Sequence, residues 1–137
     1  MTAENSTVRF GLPADERIKS LKLFDQLFES GESHWQSPFR MLVVEIPYDE
    51  AFPVQVGVAV PKRKMKKAVL RNRQKRLMRE AYRLQKLPLT TFCRTQKKGM
   101  AVLFVAQCNT PLTFAKTEEK IILLLRRLTK LNATPAE

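Results

Sequence analysis

Lysine and arginine are concentrated in segment 62–83, where they make up 11 of 22 residues and Glu80 is the single acid. Guanidinium and ammonium groups at this density bind phosphate oxygens through charge-assisted hydrogen bonds. The segment therefore offers the chemistry of polyanion recognition. Its candidate binding residues are Lys62, Arg63, Lys64, Lys66, Lys67, Arg71, Asn72, Arg73, Lys75, Arg76, Arg79 and Arg83.

Most of these charges fall on a predicted helix that runs from about residue 68 to 86 and ends before Pro88. At 100° per residue, the cations cluster on one side and the apolar residues on the other, except that Arg73 lies at the flank of the apolar stripe. That stripe consists of Leu70, Leu77, Ala81 and Leu84. A solvated helix usually intersperses acids that pair with its bases. Since Glu80 is the only acid here, the pattern favours a binding surface.

The net charge of +12 is unevenly distributed, because residues 1–50 carry 5 basic and 9 acidic side chains whereas residues 51–137 carry 20 and 4. A folded domain usually keeps such an excess where a polyanion or an anionic membrane offsets the repulsion. A membrane-binding helix needs a wide exposed apolar face, and the predicted stripe is narrow. Nucleic acid is therefore the expected partner, and no membrane partner is expected.

The sequence has no 18-residue apolar run, and residues 1–10 lack the basic start and apolar core of an export signal. We therefore expect a cytoplasmic protein in which Cys93 and Cys108 are reduced thiols. With His34 as the only histidine, the chain has too few ligands for a structural zinc site. The acids form no cluster suited to a catalytic metal, so we expect no metal site and no catalytic residue.

The length is typical of one domain, expected over residues 1–137 with an extended lead-in at 1–14 and a disordered tail at 132–137. A first helix is predicted from about Ser20, as N-cap, to Glu29, with Gly31 as the stop. Phe24 and Phe28 lie four residues apart on it. This helix has five large apolar residues, more than a sheet contact needs, so the pair is open to either core packing or stacking on unpaired bases.

Three β-branched or apolar runs are typical of buried strands, namely FRMLVVEI (39–46), VQVGVAV (54–60) and MAVLFVA (100–106). The first two suit adjacent antiparallel strands, and residues 47–53 are a candidate for a fourth. Residues 89–99 are predicted as a polar connection, and Trp35 is expected to pack in a turn before the first strand. A last helix is predicted from about Thr113 or Thr117 to Leu131. The order α-β-β-α-β-α then predicts an α+β sandwich with a single three- or four-stranded, mostly antiparallel sheet.

The run AVLRNRQKRLMREAYR (68–83), preceded by VGVAVPKR (56–63), resembles the signature of the bacterial ribonuclease P protein subunit. In that signature an Arg-Asn-Arg segment opens a basic helix after a strand. RIKSLKLFDQLFESG (17–31) is similar to the family's first helix, and MAVLFVA with the closing helix is similar to its last elements. The resemblance covers about residues 9–131.

This resemblance implies a protein that assembles with the ribonuclease P catalytic RNA and helps it bind precursor tRNA, from which the enzyme removes the 5′ leader. The chain would be a subunit of an endoribonuclease in which the RNA, with Mg²⁺, carries the catalysis, and no obligate protein partner is implied. The basic segment would face the RNA subunit. The leader would lie in a cleft between the first helix and a sheet with a left-handed β-α-β crossover, lined by Arg17, Phe24, Phe28, Val56 and Val58.

A second class of function is compatible with the same charge pattern. A non-catalytic structural RNA-binding protein, such as a ribosomal protein or an RNA chaperone, would also need a one-sided basic helix. The two hypotheses differ in whether the chain stimulates cleavage of precursor tRNA.

Overall fold

The structure of the protein is a four-stranded sheet with helices on both faces. It is a computed structural model that describes residues 16–133, with side chains through residue 129. The elements are α1 (Leu21–Ser30), β1 (Glu32–Gln36), β2 (Phe39–Ile46), β3 (Val54–Ala59), α2 (Ala68–Gln85), α3 (Leu87–Gln96), β4 (Gly99–Ala106) and α4 (Phe114–Ala133). The predicted α+β sandwich is confirmed. The lead-in at 1–14 and residues 134–137 lie outside the described residues, and the predicted tail begins too early because residues 132 and 133 are helical.

The strands lie in the order β1-β2-β4-β3. Both β1–β2 and β2–β4 are antiparallel, whereas β3 and β4 are parallel. The prediction that the first two apolar runs pair directly is wrong, because β4 lies between β2 and β3. Every residue of β4 is buried, as expected for an apolar strand covered on both faces. The connection from β3 to β4 through α2 and α3 is a β-α-β crossover, and its left-handed sense stays a prediction.

Two apolar cores lie on the two faces of the sheet. On one face, which we call the α1 face, Leu27 of α1 and Ile18 pack on Leu42, Ala101, Leu103 and Val105. On the opposite face, α2, α3 and α4 pack on the alternate residues of the same strands, which include Phe39, Met41, Val102 and Phe104. The side-chain alternation of β2 and β4 therefore determines which residues each helix contacts.

The ends of α1 follow the sequence prediction. The Ser20 hydroxyl accepts a hydrogen bond from the Leu23 backbone N–H at 3.2 Å, which confirms the N-cap. The Gly31 N–H donates to the Leu27 carbonyl at 3.0 Å. Gly31 is in an extended conformation, and a Cβ atom there would collide with the Leu27 carbonyl oxygen. The close approach of the two backbones is therefore the reason that glycine ends this helix.

Two elements differ from the sequence prediction. Residues 32–36, expected as part of a turn, form strand β1, so this is the fourth strand and residues 47–53 contain none. Residues 87–96, expected in large part as a polar connection, form α3 and bury Leu89 and Cys93. Pro88 lies in the first turn of α3, where a proline is tolerated because its missing N–H would have no helical partner.

Candidate nucleic-acid interface

Buried residues on α2 determine which of its side chains point outward. Gln74, Met78, Ala81 and Tyr82 are its buried residues. Gln74 donates from Nε2 to the Thr117 hydroxyl of α4 at 3.3 Å and accepts from the Leu112 N–H at 2.8 Å. The buried side is therefore rotated from the predicted stripe, of which only Ala81 is buried. As a result Leu84 is 49% exposed, and Arg73 faces solvent rather than the flank of the core.

The basic loop before α2, residues 61–67, is anchored by Met65, which is 1% exposed. The N–H groups of Lys64 and Met65 both donate to the Pro61 carbonyl at 3.2 Å. Arg71 Nη1 donates to the Met65 carbonyl at 3.1 Å and to the Lys66 carbonyl at 2.7 Å. The loop is thus fastened to α2 with its cations outward, and the exposed members are Lys62, Arg63, Lys64, Lys66 and Lys67.

The remaining cations of α2 differ in their solvent exposure and in whether a carboxylate pairs with them. Asn72, Arg73 and Arg76 are exposed, and Lys75 is partly buried. Arg83 donates from Nε to Glu80 Oε1 at 3.1 Å, and the hydrogen bond from Arg83 lowers the pKa of that carboxyl group. The one acid of the helix therefore offsets the charge of Arg83. We define the outer face of α2 as Asn72, Arg73, Lys75 and Arg76.

Arg79 of α2 and Arg17 lie near each other, where the basic segment adjoins the predicted leader-binding surface. Arg17 forms a parallel bridge with Val56 at the outer edge of β3, and the preceding residue, Glu16, pairs at 2.8 Å with Lys86, the C-cap of α2. Partial burial and, to a smaller extent, the positive charge of Arg17 lower the pKa of Arg79. Within residues 16–129, no carboxylate pairs with either arginine. A phosphate group at this junction would relieve the repulsion between them.

The α1 face holds Phe24 and Phe28 in different environments. The ring of Phe24 packs over Gly57 of β3, whereas Phe28 is 51% exposed. Val56 is buried, and the assignment of Val56 and Val58 to a cleft beside α1 is wrong. Both valines belong to the core under α2 and α4, because side chains on a strand alternate between faces. The β3 residues on the α1 face are instead Gln55, Gly57 and Ala59.

Trp35 was not predicted as a surface residue. It lies on β1 opposite Arg40 of β2 and is 50% exposed, so the expectation that it packs in a turn is wrong. Its sequence context, ESHWQ, has no apolar alternation that would indicate a strand. Its conformation is defined by contacts with distant parts of the chain, namely the pairing with β2 and the hydrogen bonds from Arg127 of α4.

Three further findings concern residues 16–129. Cys93 and Cys108 are free thiols, and burial raises the pKa of both. No group of three or more His, Cys, Asp or Glu side chains in this part of the chain is arranged to hold a metal ion. None of its helices has the length and apolar character to cross a membrane.

A family model for ribonuclease P matches residues 12–129. The chain belongs to the family of ribonuclease P protein components. It is 32% identical over 99 residues to the ribonuclease P protein component of a Synechococcus species, covering 72% of this chain and 69% of the relative. The corresponding protein of Desulfovibrio desulfuricans is 35% identical over 127 residues, which is 89% of each chain.

The fold is also that of a solved ribonuclease P protein. The structure from Staphylococcus aureus superimposes with a TM-score of 0.63 at 21% identity, covering 82% of this chain and 94% of that one. Family membership confirms the resemblance drawn from the basic helix and the first helix. The roles of single side chains stay predictions.

Proposed function

We propose that the chain is the protein subunit of ribonuclease P and promotes removal of the 5′ leader from precursor tRNA. The basic loop and the outer face of α2 bind the catalytic RNA, and the α1 face binds the leader. The observation that carries this proposal is the anchored basic surface, in which buried Met65 and the Arg71 hydrogen bonds hold a row of exposed cations in one orientation. The proposed location is the cytoplasm.

An anchored surface suits recognition of a folded RNA. Arginines on a helix present guanidinium forks in fixed directions, and a fork binds two phosphate oxygens at once. Asn72, between Arg71 and Arg73, adds an amide that donates and accepts. Because the loop and helix are fastened together, less conformational entropy is lost when they bind than would be lost by a free loop.

The junction at Arg17 and Arg79 supports a continuous path for one RNA strand. A precursor strand that passes Arg79 of α2 and then Arg17 at the outer edge of β3 reaches the α1 face, where Phe28 is exposed. The part of the precursor next to the cleavage site would then lie by α2. The 5′ end of the leader would lie farther across the α1 face.

The proposed contribution of this chain is binding and positioning. Cleavage is assigned to the catalytic RNA and to Mg²⁺ held by that RNA. By binding both the catalytic RNA and the leader, the protein increases the fraction of precursor in the reactive position.

Reconstitution tests the proposal. The chain is mixed with a bacterial ribonuclease P RNA and precursor tRNA at low Mg²⁺, and the mature 5′ end is quantified. We expect stimulation of cleavage by the unaltered chain and weaker stimulation by Arg73→Ala/Arg76→Ala. The matched control is Lys116→Ala/Arg126→Ala, which removes the same charge from exposed positions of α4.

The two outcomes separate the hypotheses. Absence of stimulation by the unaltered chain would contradict the proposed function. If the unaltered chain bound the RNA without stimulating cleavage, the alternative of a structural RNA-binding protein would be favoured. Equal losses in the test and control variants would contradict the assignment of binding to α2.

A further inference from the structure

The only tryptophan of the chain, Trp35, lies on the same face of the sheet as the two α1 aromatic residues. Trp35 of β1 is directly opposite Arg40 of β2, and directly opposed residues point to the same face. Leu42, two residues after Arg40, belongs to the core beneath α1. Trp35 and Arg40 therefore extend the α1 face toward the edge of the sheet.

This part of the face is open. α1 packs on β2 and β4, and β1 is the edge strand beyond them. Trp35 is 50% exposed and Phe28 is 51% exposed. A single exposed apolar residue is ordinary on a protein surface. Here two large aromatic rings and a cation are exposed or partly exposed on one face, and this combination is typical of a surface for unpaired nucleotides.

The residues around Trp35 hold its backbone in place. From the opposite face, Arg127 of α4 donates from Nη1 to the Trp35 carbonyl at 2.8 Å and from Nη2 to Gln36 Oε1 at 2.7 Å. Arg40 Nε donates to the Ser33 hydroxyl at 3.1 Å, which orients its guanidinium. In the described part of the chain, no carboxylate pairs with Arg40. The backbone of Trp35 and the guanidinium of Arg40 are thus held in place before any ligand binds.

We propose that Trp35 and Arg40 form a further single-stranded RNA site, in which a base stacks on Trp35 and Arg40 binds the adjoining phosphate. Because its occupant is the leader, the site rests on the proposed function. The strand order places β1 three strand spacings, about 14 Å, from β3, and Arg17 lies one spacing farther, along the outer edge of β3. Nucleotides near the cleavage site bind by α2, so those that reach Trp35 are the 5′-distal ones.

Leader length therefore determines whether the site is occupied. In the holoenzyme reconstituted with a bacterial ribonuclease P RNA, precursors with leaders of about two and about ten nucleotides are compared. Trp35 is the sole indole fluorophore, so its emission reports on this position directly. We expect the longer leader to change the emission and the shorter one to leave it unchanged.

Variants test the same site through the affinity of the holoenzyme for precursors with long and short leaders. The ratio of long-leader to short-leader affinity should fall at least about fivefold in Trp35→Ala, the lower end of what one base stacked on an aromatic ring contributes. Trp35→Phe should keep most of the ratio. Leu87→Ala is the control, because Leu87 is 70% exposed but lies at the start of α3. Thermal unfolding of each variant verifies that it is folded.

The outcomes are distinguishable. If the unaltered chain stimulates cleavage but neither the emission nor the affinity ratio depends on Trp35, the RNA site is overturned and the proposed function stands. If emission changes with protein concentration in the absence of RNA, this face binds a second copy of the chain and the proposal fails. If the unaltered chain does not stimulate cleavage at all, the proposed function itself fails.

Discussion

The ring of Phe24 covers the backbone of Gly57, so that a Cβ atom added at Gly57 would lie 3.3 Å from two ring carbons of Phe24 and 3.2 Å from Leu103 Cδ1. This contact fixes α1 on the sheet at the junction of β3 and β4. It also limits the part of the Phe24 ring that a nucleotide can reach. Of the two α1 aromatics, Phe28 is the more accessible.

Substitution of Gly57 by valine tests this contact. The valine side chain would enter space that Phe24 and Leu103 occupy, so we expect Gly57→Val to lower the free energy of unfolding by about 1–3 kcal/mol in urea titrations. Gln55→Val is the matched control, since Gln55 lies on the same strand and the same face and is only partly buried. Equal stability of the two variants would contradict the close packing of Phe24 on β3.

The two aromatic residues of α1 should respond differently to truncation. Phe24→Ala removes packing from the core of the α1 face and should lower the free energy of unfolding by about 1–3 kcal/mol. Phe28→Ala removes an exposed ring, so it should change stability by less than about 1 kcal/mol. If Phe28 stacks on a base, its loss should weaken binding of precursor tRNA relative to mature tRNA by about fivefold or more.

Fluorescence anisotropy of labelled precursor and mature tRNA, each with the reconstituted holoenzyme, measures this ratio. Leu21→Ala is a suitable control, because Leu21 is exposed on the first turn of the same helix. A drop in precursor affinity with Leu21→Ala as large as that with Phe28→Ala would contradict a specific role for Phe28.

Local sequence patterns predicted the elements that are defined by residues close together in the sequence. The Ser20 cap, the cationic side of α2 and the buried runs of β2, β3 and β4 are read from neighbouring residues. The pairing of ESHWQ with β2 and the insertion of β4 between β2 and β3 depend on contacts between distant parts of the chain. No periodicity encodes these contacts. For that reason β1 and the strand order were not predicted.

The errors in the candidate site have a similar origin. Strand alternation separates Val56 and Val58 from Gly57 and Ala59 but does not indicate which helix covers which face. On α2, Gln74 is buried because Thr117 and the Leu112 N–H satisfy its amide, and a polar residue is not expected in an apolar stripe. The predicted orientation of α2 was therefore rotated, which moved Arg73 to the flank.

The cations of α2 should separate into those that bind RNA and those that hold the loop. With about six phosphates neutralised, the affinity for the catalytic RNA should fall with salt at a log–log slope of about −4 to −5. Arg73→Ala and Arg76→Ala should each reduce the slope by about 0.7 to 0.9, because each removes one exposed cation. Arg71→Ala also removes two hydrogen bonds to loop carbonyls, so it should accelerate hydrogen exchange of the Lys64 and Met65 amides.

Filter binding over a range of KCl concentrations gives the slopes, and hydrogen exchange of the free protein reports on the loop. Arg71→Lys keeps the charge but loses the guanidinium Nη1 that donates both hydrogen bonds to the loop. It should retain the slope while the loop amides still exchange faster. An unchanged exchange rate at Lys64 and Met65 in Arg71→Ala would contradict the anchoring role of Arg71.

Cys93 should make the protein less stable at alkaline pH. Burial raises the pKa of this thiol from its ordinary value of 9.0 to about 11. Between these pH values the unfolded chain has lost the thiol proton while the folded chain keeps it. Because the unfolded state then binds fewer protons, the free energy of unfolding falls as pH rises from about 9 to about 11.

Urea unfolding in the presence of a reductant at several pH values from 8 to about 11 measures this dependence. Cys93→Ala should lose stability at neutral pH, because it leaves space in the core, yet its stability should decline less steeply across the alkaline range. Some decline should remain, since burial also raises the pKa of Tyr82. Cys108→Ala is the control, because the thiol that it deletes is only partly buried, and its steep decline in stability should persist. Identical pH profiles for the two variants would contradict a buried, protonated Cys93.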